Sequence, residues 1–70
     1  MILMILKMTF DQAKLYASNG YTLLLPGWKG YFNWNYKNKE LIFKDGDYIL
    51  NENQLKDKGV INRNDWYYII

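Results

Sequence analysis

Hydrophobic and polar positions along this chain follow two different periods, and the places where one gives way to the other mark its elements. The opening Met1-Ile2-Leu3-Met4-Ile5-Leu6 is unbroken apolar and ends at Lys7. A run of this length predicts a short buried or edge strand, or an extension over residues 1–7 ahead of a single domain at 8–70. Met4 and Met8 offer internal starts. Phe10, Ala13 and Ala17, flanked by Tyr16, then recur at helical spacing. Thr9 is placed to cap that helix and Gln12 to complete a capping box, with Asp11 in the positive first turn. Met8 precedes the cap as a staple onto Ala13. Asn19-Gly20 ends the helix, because either residue tolerates the left-handed conformation after a last turn.

Beyond Gly20 the period falls to two. Tyr21-Thr22-Leu23-Leu24-Leu25 predicts a strand that Pro26 stops, since proline cannot donate to a sheet ladder. Pro26-Gly27 and Gly30 punctuate the backbone, so Trp28 falls at a bend. Next, Phe32, Trp34 and Tyr36 alternate with Tyr31, Asn33 and Asn35, giving a strand with one wholly aromatic face. Lys37-Asn38-Lys39 is a polar turn before a strand at Glu40-Leu41-Ile42-Phe43-Lys44. Asp45-Gly46-Asp47 then predicts a tight hairpin into Tyr48-Ile49-Leu50. Asn51 to Lys58 reads as a polar loop with at most one helical turn at Gln54-Leu55-Lys56, closed by Gly59. Trp66-Tyr67-Tyr68-Ile69-Ile70 forms a final strand, expected to pair centrally. The expected fold is α+β: one N-terminal helix packed on a small, twisted, mostly antiparallel sheet.

Composition narrows what such a domain can do. Seventy residues make one domain, and a domain of about 60 residues buries only roughly 60% of the surface its unfolded chain exposes. Apolar residues are 50% of the chain and aromatics 19%, more than so small a core hides, which predicts self-association. There is no cysteine and no histidine. Disulfides and thiolate metal sites are therefore excluded, and the usual general base and nucleophiles are missing, so enzyme chemistry is not expected. The acidic hairpin invites a calcium-loop reading, but the remaining spaced ligands and the final glutamate are lacking. No metal and no cofactor are expected. The net charge of +2 does not by itself imply nucleic acid. The opening apolar run is too short to span a bilayer or to serve as a signal-peptide core, which fits a cytoplasmic protein with no membrane partner.

What remains is binding, and the candidate groups cluster in two stretches. Leu25 to Tyr36 holds two of the three tryptophans and the only proline. Its Trp28, Tyr31 and Trp34 offer flat faces for stacking, with Lys29, Lys37, Lys39 and Lys44 nearby for phosphates. Asn62-Arg63-Asn64-Asp65-Trp66 adds the polar complement. Arg63 can fork onto a phosphate, Asn64 offers paired donors and acceptors, and Asp65 can accept from an amine or a ribose hydroxyl. Each has a plainer use: Trp28, Trp34 and Trp66 can fill a core, the lysines can simply keep the protein soluble, and Asp65 can cap a turn.

These stretches also carry a family likeness. Met8-Thr9-Phe10-Asp11-Gln12-Ala13 with Gly20, Leu25 to Trp34, Lys44-Asp45-Gly46-Asp47 and Arg63-Asn64-Asp65-Trp66 stand in the order of the Thoeris anti-defense 2-like family of small phage proteins, which this chain resembles from Met8 to Ile70. It is shorter than that pattern between the hairpin and the closing Asp-Trp, and it has Leu25-Pro26 where many relatives carry an arginine. The resemblance implies a sponge that binds a cyclic nucleotide immune signal, a cyclic ADP-ribose isomer or a cyclic dinucleotide, without cleaving it. It further implies a symmetric homo-oligomer, with a tetramer expected ahead of a dimer, acting in the cytoplasm of an infected bacterial host. The implied pocket sets Trp28 and its neighbours on one side and Asn64 and Asp65 on the other. Two other readings stand beside it: an anti-CRISPR-type inhibitor of a bacterial nuclease, and a single-strand nucleic-acid binder using stacked aromatics over lysines.

Overall fold

The C-terminal strand decides the topology. A computed structural model describes residues 3–69; Met1, Ile2 and Ile70, expected in strands, lie outside the described residues. The elements are β1 (Leu3–Met8), α1 (Phe10–Ser18), β2 (Leu23–Leu24), β3 (Tyr31–Asn35), β4 (Glu40–Asp45), β5 (Tyr48–Leu50), α2 (Glu52–Asp57), a 3₁₀ turn at Val60–Asn62, and β6 (Trp66–Ile69). They build one sheet in the order β1-β6-β2-β3-β4-β5, with every neighbouring pair antiparallel. β1, α1 and β2 form a crossover that leaves a slot, and β6 fills it between β1 and β2, as its apolar sequence predicts. The fold is α+β.

Register explains which residues form the core. Leu23 stands opposite Phe32 and Tyr68, Phe32 opposite Phe43, Phe43 opposite Leu50, and Met8 opposite Trp66. These residues share one face of the sheet and all are buried. Phe10, Ala13 and Ala17 of α1, Leu55 of α2 and Val60 cover that face. Trp66 is fully buried, with its ring 4.6 Å from Phe32 and 5.7 Å from Phe10. The other face carries Leu24, Tyr31, Asn33, Ile42, Lys44, Ile49 and Tyr67, half-buried or exposed, with Tyr31 at 41% and Ile49 at 55%. Among the described residues no helix covers it.

The local signals of α1 hold. Thr9 accepts from the Gln12 amide and the Gln12 side chain accepts from the Thr9 amide, completing the capping box. Gly20, at φ +96°, ends the helix region. Three expectations need correction. The strand expected over Tyr21–Leu25 is only Leu23–Leu24, because Tyr21 still belongs to the helix exit: its amide donates to the Tyr16 carbonyl at 3.2 Å. The loop expected from Asn51 to Lys58 is a helix. Asn51 and Gln54 form a second capping box there, and the reading of that stretch as polar overlooked it. The aromatic strand expected through Tyr36 ends at Asn35; along its aromatic face Phe32 is fully buried, Trp34 half-buried and Tyr36, already in the turn, 64% exposed. In the hairpin, Asp45 pairs with Tyr48, so the turn proper is Gly46-Asp47 with Gly46 at φ +61°.

Carboxylates fasten α2 to the rest. Glu52 accepts from Lys14 of α1 at 3.0 Å and from the Leu41 amide of β4 at 3.2 Å. The Glu52 amide in turn donates to Glu40 at 3.0 Å. An acidic side chain facing the first turn of a helix suits the exposed N–H groups there. None of these three contacts is suggested by spacing in the sequence.

Candidate aromatic and lysine hollow at Trp28

The turn that carries Trp28 is held from both ends. Leu25 is buried, the Trp28 amide donates to the Leu25 carbonyl at 3.1 Å, and Gly27 takes φ +85° between them. Beyond the turn Gly30 presses against β4, where an added Cβ would lie 2.0 Å from the Lys44 carbonyl oxygen and 2.8 Å from the Phe43 ring. Only glycine fits that approach. From outside, Arg63 donates to the Pro26 carbonyl at 3.2 Å. The same guanidinium forks onto Asp65, its Nε donating to Oδ1 at 2.9 Å and its Nη2 to Oδ2. These hydrogen bonds hold the Asp65 carboxyl below the usual carboxylate range and raise Arg63 above its ordinary value.

The Trp28 ring is half-buried, edge-to-face on Phe43 at 4.8 Å and tilted on Phe32 at 5.6 Å. It lines a hollow of about 310 Å³ together with Gly27, Lys29, Asp45, Tyr48 and Lys58. Tyr48 forms the far wall, 6.4 Å from Phe43 and 55% exposed. Two ammonium groups and one carboxylate leave the rim with a positive excess. The hollow therefore combines an aromatic face for stacking with cations for a phosphate.

The other candidates named from the sequence are distributed. Arg63 and Asp65 are brought together, and they share the Pro26 turn with Trp28, but their charges already satisfy one another. Asn64 is exposed beside them. Tyr31 lies on the open face of the sheet, opposite Lys44. Trp34 lines a different cleft, with Asn33, Thr22 and Tyr36. Sequence reasoning missed Lys58 and Tyr48. The Asn51 and Gln54 capping signal points to Lys58, since it predicts the helix that ends at that residue. Among the described residues no cluster of three or more carboxylates could hold a metal ion, and no helix is long and apolar enough to cross a membrane. Compared with known protein families, curated proteins and solved structures, the chain matches none.

Proposed function

We propose that this protein binds a nucleotide in the Trp28 hollow and withholds it from other proteins without changing it chemically. The observation that carries this reading is a half-buried indole lining one hollow with Lys29, Lys58 and Tyr48. A base can stack on the indole while a phosphate meets the ammonium groups, and each stacked base is worth about 1–3 kcal/mol. The ligand class comes from the sequence resemblance: a cyclic nucleotide immune signal, sequestered by a phage anti-defence protein in the cytoplasm of the infected host. The absence of histidine and cysteine favours binding over cleavage.

The same reading includes self-association. Leu24, Tyr31, Ile42, Ile49 and Tyr67 share the uncovered sheet face with Asn33 and Lys44, and a second copy is the proposed cover of that face in a symmetric homo-oligomer, a tetramer ahead of a dimer. To test the function, the purified protein is incubated with a cyclic ADP-ribose isomer or a cyclic dinucleotide, washed and heat-denatured. Intact nucleotide in the released fraction is expected. A linear or hydrolysed product that accumulates with time would contradict the sponge, and so would retention of long single strands lost steeply with salt. Light scattering at micromolar concentration reports the assembly, where a monomer would remove self-association from the account.

A further inference from the structure

The cleft that holds Trp34 differs from the Trp28 hollow in one decisive respect. It measures about 330 Å³, and no charged residue lines it. Its walls are Trp34, Tyr36 and Tyr21, and between them stand Gly20, Thr22 and Asn33. The walls are held in place from behind. Trp34 is paired with Leu41 across β3 and β4. Tyr21 packs edge-on against Tyr68 at 4.8 Å and against Tyr16 at 5.3 Å. The polar groups are partly uncommitted. Thr22 donates to Asn33 Oδ1 at 3.3 Å, and among the described residues the carboxamide N–H₂ of Asn33 meets no acceptor.

This inventory excludes ligands by class. An anion entering here would lose hydration and meet no cation; a cation could rest on the aromatic faces but would meet no carboxylate and would leave the Asn33 N–H₂ without an acceptor. A wholly apolar ligand would cover Asn33 and Thr22 without satisfying them. What fits is an uncharged ring with an apolar face for the aromatic walls and hydroxyls along its edge. A hydroxyl both donates and accepts, and so do the threonine hydroxyl, the tyrosine hydroxyls and the asparagine carboxamide. We propose that the Trp34 cleft is a second binding site, separate from the Trp28 hollow, that takes a neutral saccharide ring stacked on Trp34 and Tyr36 and hydrogen-bonded to Asn33.

The test is an NMR titration of the ¹⁵N-labelled chain with the neutral disaccharides maltose, cellobiose, lactose and chitobiose, with glucuronate and adenosine as comparison ligands. Saturable shifts are expected at the Trp34 indole and the Asn33 carboxamide with at least one neutral disaccharide, and weaker ones with glucuronate and adenosine. Tyr36 is 64% exposed, so Tyr36→Ala keeps the fold. It should weaken the saccharide about threefold to tenfold, the range for one aromatic contact, and leave nucleotide binding as in the parent. Asn33→Ala, checked by its melting temperature, should weaken the saccharide as well. The proposal is overturned by the absence of a saturable shift with all four disaccharides, by tighter binding of glucuronate or adenosine read at the Trp34 indole and the Asn33 carboxamide, or by saccharide binding that Tyr36→Ala leaves intact.

Discussion

Trp66 and Trp28 are the same residue in two surroundings, and the contrast separates an aromatic used as packing from one proposed for binding. Trp66 begins the strand that fills the slot between β1 and β2. It is fully buried between Phe10 and Phe32, and its indole N–H meets no acceptor among the described residues. An unpaired buried donor costs about 1–3 kcal/mol, a cost accepted only where the ring itself is needed as filling. Trp28 sits on a loop at the margin of the same aromatic cluster. Its ring rests on Phe43 and Phe32 and lines a hollow that Lys29 and Lys58 also line. Position in the sheet separates the two roles, central strand against pinned turn.

The largest effect follows from the buried member. Trp66→Ala should cost about 3–5 kcal/mol, the usual range for deleting a buried large aromatic, read as a lower denaturant midpoint; Trp28→Ala should cost clearly less. Equal losses would erase the distinction. Next comes the close approach of Gly30 to β4. Gly30→Ala forces a Cβ toward the Lys44 carbonyl, and should cost about 1–3 kcal/mol as overpacking does while also weakening ligand binding. A chemical-denaturation curve matching that of the parent would show that β4 can yield there. Asn51→Ala removes the cap of α2, worth about 1 kcal/mol. Because Lys58 lies at the end of that helix, nucleotide affinity should fall with it; unchanged affinity would take Lys58 out of the site.

The smallest effect belongs to the clamp on the Pro26 turn. The carboxyl of Asp65 is held below its ordinary value by the Arg63 hydrogen bonds. Its contribution is therefore present above the unfolded value of about 3.9 and is lost as pH falls through the depressed folded value. Arg63 stays charged throughout that range. With side-chain exposures of 32% and 40%, the pair should contribute no more than about 1 kcal/mol. Asp65→Asn should remove that share of the acid dependence of stability, and a parent and variant that diverge most at low pH would reverse the sign.

Much of this fold is written locally. The Thr9 and Gln12 box, the Asn19-Gly20 stop, the alternation through β3 and the Gly46 turn are each set by neighbours a few residues apart, and each is found where the pattern puts it. The central place of β6 was also legible, because a run as apolar as Trp66 to Ile69 needs partners on both sides. The site was legible only in part. Trp28 could be named, because its bend between Pro26 and Gly30 is a local signal. Its companions Lys58 and Tyr48 reach the hollow through the packing of α2 and β5; the Asn51 and Gln54 box signals the helix that ends at Lys58, but no spacing in the chain encodes how it packs. Arg63 and Asp65 were read as ligand groups because their chemistry suits a nucleotide, while their mutual fork and the bond to the Pro26 carbonyl depend on tertiary structure. The graded burial along Phe32, Trp34 and Tyr36 likewise depends on where α1 ends above β3.

The most direct measurement is an equilibrium titration of a cyclic ADP-ribose isomer and a cyclic dinucleotide into the parent, Trp28→Ala and Trp28→Leu, with the melting temperature and oligomeric state of each followed in parallel. Leucine keeps apolar cover over Phe43 and removes the stacking face. Loss of one stacked base is worth about 1–3 kcal/mol, so both variants should bind at least one of these nucleotides tenfold or more weakly while Trp28→Leu stays folded and assembled. Parent-like binding by a folded Trp28→Leu, or no binding of either nucleotide by the parent, would contradict the assignment of the Trp28 hollow as the site of sequestration.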